Sequence, residues 1–123
     1  MYTGYFAKLK KYESTGLIPI SICGKAPDWY QGLQYKKLAP KWEFFNEWKN
    51  GKHKGDNDYY IAHFKSEVLD NLDINEVLDS LCSHGALNKI ILICYEKPAD
   101  FCHRHLVADW LNENGIECTE FSE

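Results

Sequence analysis

"IILICYEKPADFCHRHLVADWLNENGIECTEF", residues 90–121, runs from an unbroken apolar stretch through a polar turn and an amphipathic stretch to a glycine and a last β-prone segment. Positions 90–94 carry no polar residue, which is the pattern of a strand covered on both faces, as in a parallel sheet. Residues 101–114 read as a helix, with Asp100 as its N-cap and Gly115 as the left-handed residue that ends it. At about 100° per residue, Leu106, Val107, Trp110 and Leu111 share one arc with His103 near its centre, so this arc is the expected packing face. Arg104 and Cys102 flank the arc, and His105 falls on the outward side. A third strand is expected over residues 115–121, and strand, helix, strand in this order places the chain in the α/β class.

Working outward, "GLIPISICG" at residues 16–24 is a second β-branched run bounded by glycines, and "MYTGYF" at the start offers a further strand. Between residues 24 and 88 the pattern predicts helices over 41–49, 58–71 and 74–84, the last introduced by Asp73. Residues 24–40 form the one long irregular connection, of the kind that carries binding elements. The 123 residues, 45% hydrophobic and 15% aromatic, suffice for one well-cored domain spanning 1–123. The expected architecture is therefore a single three-layer domain with a mainly parallel sheet, Rossmann-like in plan.

No apolar stretch approaches the roughly 20 residues that cross a bilayer, and the first residues lack the apolar centre of a secretion signal. A cytoplasmic chain without membrane contact is expected. Its five cysteines, Cys23, Cys82, Cys94, Cys102 and Cys118, are an odd number without scaffold spacing, so all five are expected as thiols. The net charge of −4 divides unevenly: ten lysines against four acids over residues 1–54, and four bases against fourteen acids over 55–123. A basic, aromatic-rich first half suits a nucleic-acid groove in which lysines follow phosphates and rings stack on bases. It equally suits lysines outside and rings inside an ordinary core.

Ligands of open parallel sheets bind at the carboxyl ends of the strands. Cys23 closes one strand and Cys94 another, and Cys102, His103 and Arg104 begin the helix after it, so these residues are expected at one end of the sheet. The helix start and the Arg104 guanidinium favour an anion and lower the pKa of Cys102. Cys102 is accordingly the candidate nucleophile or redox thiol and His103 the candidate acid, base or orienting group. Arg104, Glu96, Cys94, Cys23 and Lys25 are candidate ligand contacts, with Trp29, Trp42 and Tyr30 as candidate walls. Glu96 is also placed to pair with Arg104.

"YFAKLKK", "IPISI" followed by "GKAPDW", "YKKLAP" and above all "LICYEKPADFCHRHLVADWL" resemble the bacterial and phage family catalogued as domain of unknown function 488 (DUF488). The resemblance covers most of the chain and implies a compact α/β domain. Its signature region would be Cys102-His103-Arg104 together with the strand ending at Cys94 to Glu96. It supplies no reaction and no cofactor. Where it implies an arginine at the end of the first strand, this chain has Cys23, which leaves Lys25 as the second basic anchor.

Three readings follow: an anionic small ligand or nucleotide bound at Cys102-His103-Arg104 with thiol-dependent catalysis as its extension, a nucleic-acid or protein-binding module, and a metal domain. For the last, Cys94, Cys102, His105 and Cys23 would be the ligands, but their spacing matches no common zinc module. His105 is read as outward-facing, so no metal ligand is assigned.

Overall fold

The structure, a computed structural model, describes residues 1–122. In chain order it contains β1 (Tyr2–Tyr5), α1 (Leu9–Ser14), β2 (Ile18–Ser21), β3 (Leu33–Gln34), α2 (Trp42–Asn50), α3 (Asn57–Glu67), α4 (Ile74–Cys82), β4 (Ile90–Cys94), α5 (His103–Glu113) and β5 (Thr119–Glu120), with short 3-10 turns between them. The five strands form one sheet in the order β3-β2-β4-β1-β5, and every pairing is parallel. The expected α/β class and parallel sheet are what the chain forms.

β4 lies at the centre because it is apolar throughout, and its five residues are all within 1% of complete burial. On one face Ile20, Ile90 and Leu92 meet Phe44, Phe64, Val77, Leu81, Val107 and Leu111 of the helices α2 to α5. On the other, Ile91 and Ile93 meet Phe6, Tyr12 and Tyr30. The result is the three-layer arrangement.

α1 and β3 have no counterpart among the expected elements. α1 is six residues long and buries Tyr12 alone, so it shows no helical period to read. β3 has two exposed residues, held by pairing to Ile20 and Ser21 rather than by burial. The close seat of Tyr12 explains Gly4: a β-carbon there would stand 2.5 Å from the Tyr12 hydroxyl and 2.8 Å from Ile91 Cδ1. Gly4→Ala is expected to cost about 1–3 kcal/mol by overpacking, measured as a lower urea midpoint at unchanged slope; a neutral result would show that α1 is free to move off the sheet.

α5 corrects its sequence reading in two respects. Its N-cap is Cys102, in extended conformation and with no side-chain cap, because Asp100 is held in an earlier turn by its own N–H to the Lys97 carbonyl, 3.0 Å. Gly115, at φ 82°, is the left-handed stop the sequence indicates. The buried face consists of His103, Arg104, Val107, Ala108 and Leu111, while Leu106 and Trp110 sit half-buried at its margin. A wholly buried arginine rotates the face away from the arc that hydrophobicity alone defines.

Candidate functional site

β2 and β4 are neighbours in the sheet and end together, and Ile22 continues their pairing by donating its N–H to the Ile93 carbonyl, 3.1 Å. Residues 23–25 and 94–96 therefore leave from one edge. Tyr95 ties the two departing loops by donating its hydroxyl to the Lys25 carbonyl, 2.6 Å. α2 and α3 stand over the same edge, and the start of α5 closes it.

The cavity between them is open on one side and about 740 Å³ in volume. Trp42, Phe45, Trp48, Tyr60 and Phe101 form aromatic walls, Lys25 and Lys49 bring positive charge, and Cys23, Cys94, Cys102 and His103 are also among its lining residues. Phe101 makes ring contacts with Trp48 and Tyr60 at 5.5 and 5.0 Å between centroids, which stiffens that wall.

Cys94 and Cys102 are joined as a disulfide, with Cα atoms 7.7 Å apart, which corrects the expectation of five thiols. The connection after β4 folds back so that Cys102 comes over the strand end. Cys23, Cys82 and Cys118 are free. Burial pushes the Cys23 thiol up to about 11, the largest effect on it, so it is neutral at physiological pH.

His103 is almost wholly buried and lies 2.8 Å, through Nε2, from the Ile22 carbonyl. A carbonyl only accepts, so Nε2 carries the proton and Nδ1 keeps a lone pair, directed at Cys102 Sγ 4.0 Å away. Burial, opposed in part by the Ile22 hydrogen bond and aided by Arg104 and His105, lowers its pKa to about 4. The ring is therefore neutral. Cys94 Sγ, Cys102 Sγ and a His103 ring nitrogen all lie within 4.8 Å of one another.

Arg104 departs from the role its sequence position suggests. Its side chain is fully buried, and Nε and Nη2 each donate to Glu120, both at 3.0 Å. Nη1 donates to Cys94 Sγ at 3.4 Å. The guanidinium is not part of the cavity lining and cannot serve as a clamp open to an anion; nor is Glu96 its partner. The pairing of β5 with β1 delivers Glu120 beside it, a contact across the sheet that local spacing does not announce.

The remaining candidates divide. Cys23, Lys25, Glu96, Cys94, Cys102, His103 and Trp42 line the cavity. Trp29 and Tyr30 do not: Tyr30 is buried against Phe6 beneath the opposite face, its hydroxyl donating to the Leu33 carbonyl, and Trp29 leans on the same ring while mostly exposed. Phe45 and Trp48 belong to the aromatic-rich first half that reads equally as a nucleic-acid groove or as core, whereas nothing in the sequence marks Tyr60, Phe101 or Lys49 as site residues. His105 is not simply outward-facing: its Nε2 is buried and, among the described residues, without a hydrogen-bond partner.

A family model described as "Active DUF488-N3 subclade" matches residues 7–115, nearly the whole chain. The chain belongs to the DUF488 family. The matched span includes α1 to α5 and every cavity residue, so in this DUF488 chain the Cys-Cys-His cluster lies wholly within the family region. No curated protein and no solved structure matches the chain. No helix of the described residues is long and apolar enough to cross a membrane.

Proposed function

We propose that the cavity binds a planar anionic ligand of the nucleotide class, with its ring against the aromatic wall and its phosphate toward Lys25 and Lys49, above a redox-active Cys94–Cys102 pair. The observation that carries the reading is the joint presence of six aromatic side chains, Tyr95 among them, and two lysines around one cavity that reaches the cysteine cluster. Lys25 is largely exposed and only 4.0 Å from an equally exposed Asp28, a pairing weak enough for a phosphate to displace. Lys49 stands 5.6 Å from the centre of the Phe45 ring, so cation and stacking surface are already adjacent. In the reduced state Cys102 is the thiol beside the unprotonated Nδ1 of His103, which can accept an S–H···N hydrogen bond and so orient Cys102 as nucleophile.

Titration of the reduced chain with nucleoside mono- and diphosphates is expected to quench tryptophan fluorescence through Trp42 and Trp48. Lys49→Ala is expected to weaken that binding roughly three- to tenfold, with a shallower salt dependence. Unchanged fluorescence and melting temperature across the nucleotides and inorganic phosphate would overturn the reading. Trp42 and Tyr95 are also exposed near the cavity mouth, which favours a single-stranded oligonucleotide as the second reading; much tighter binding of short oligonucleotides, with a steep salt slope, would select it.

A further inference from the structure

We propose that the reduced chain holds a zinc-class divalent metal ion through Cys94 Sγ, Cys102 Sγ and His103 Nδ1, with a fourth coordination position toward the cavity. The three donor atoms converge within 4.8 Å although Cys94 and Cys102 are eight residues apart in sequence. Neighbouring residues inside a helix point about 100° apart and rarely share a ligand. Here Cys102 precedes the helix in extended conformation, φ −153° and ψ 141°, so its sulfur and the His103 ring meet.

The surroundings are those a metal ligand set requires. The Nε2–H···O=C bond to Ile22, 2.8 Å, selects the tautomer that leaves Nδ1 free and holds the ring in place, the outer-shell device common to ligating histidines. Arg104 Nη1, 3.4 Å from Cys94 Sγ, stabilises a thiolate there. Charges balance: two thiolates offset a dication, a neutral imidazole adds none, and Arg104 is matched by Glu120. Two sulfurs and one nitrogen suit zinc over magnesium or calcium, and three protein ligands leave the open position of a reactive rather than a purely structural site. Cys23 and His105, which the metal reading of the sequence would have used although no metal ligand was assigned from it, are not part of the converging group.

The disulfide is then the oxidised, metal-free state. A dithiol reductant supplies two electrons and two protons to break the S–S bond, becoming a cyclic disulfide itself, and metal binding releases the two thiol protons. The metal reading stands apart from the nucleotide reading, which is tested on metal-free reduced protein.

The test is titration of the reduced, tag-free full chain with Co²⁺ without oxygen. One equivalent should bind, giving tetrahedral d–d bands and a thiolate-to-cobalt charge-transfer band that Zn²⁺ abolishes by displacement. Cys102→Ser should weaken Co²⁺ binding by at least about tenfold, whereas Cys82→Ser, at an exposed free thiol, should leave it unchanged. Because a serine at either site can perturb folding, the wild-type chain supplies a second readout. Zn²⁺ should protect Cys94 and Cys102, but not Cys82, from iodoacetamide. Absence of stoichiometric Co²⁺ binding, or equal alkylation of Cys94 and Cys102 with and without Zn²⁺, would overturn the proposal.

Discussion

Arg104→Ala is expected to destabilise the chain by about 3–5 kcal/mol, the range for breaking one side of a buried ion pair. Arg104 is 0% exposed and donates three hydrogen bonds, two to Glu120 and one to Cys94 Sγ, with its guanidinium 5.8 Å from the centre of the Tyr5 ring. Truncation leaves the Glu120 carboxylate with the Thr3 hydroxyl, 2.7 Å away, as its remaining hydrogen-bond partner among the described residues. Glu120 keeps 23% of its side-chain exposure and so recovers part of its hydration, which favours the lower end of the range. Arg104→Lys should also be costly, because a point charge cannot reproduce a planar fork that meets both carboxylate oxygens. Arg104→Met combined with Glu120→Leu should recover much of the loss by removing both charges together. Urea midpoints of the three variants measure this. Near-wild-type stability of Arg104→Ala would mean that the guanidinium is free for a ligand after all.

Phe64→Ala should cost about 3–5 kcal/mol, as for large aromatic truncations in a core that cannot collapse. The Phe64 side chain is completely buried on α3, and its ring lies 6.1 Å from that of Tyr60 and 5.6 Å, edge-on, from that of His103. The substitution would therefore remove packing from a cavity wall and from the imidazole that faces the cysteine pair. Phe64→Leu, which keeps most of the volume, is expected to lose much less. Thermal and urea unfolding of the two variants would measure the difference; equal, small losses would show that the helical layer repacks freely around the site.

Much of the site's membership was legible because the residues concerned end strands or begin a helix, and such positions are local properties of the chain. Cys94 closes an unbroken apolar run, Cys102 and His103 follow a proline-containing turn, and Cys23 and Lys25 follow the next apolar run. Their convergence needs only the general behaviour of parallel sheets. The roles of individual side chains were less legible. Arg104 reads as an anion clamp until β5 places Glu120 against it, and Trp48 and Tyr60 read as core until α2 and α3 are set over the sheet edge.

By itself the sequence determined the class and direction of the fold: the apolar β4 core, the amphipathic helices on either side of it and Gly115 as the stop of α5 follow from hydrophobic period and backbone sterics, which act over a few residues. Only the tertiary structure decided the strand order, the rotation of α5 about its axis, the Cys94–Cys102 bond and the nitrogen that His103 turns toward it. Apart from the Cys94–Cys102 bond, which joins residues eight apart across a turn, each of these depends on groups far apart in the chain. The Ile22 carbonyl that orients His103 lies 81 residues before it, and no periodicity within one element records an energy that exists only when two elements meet.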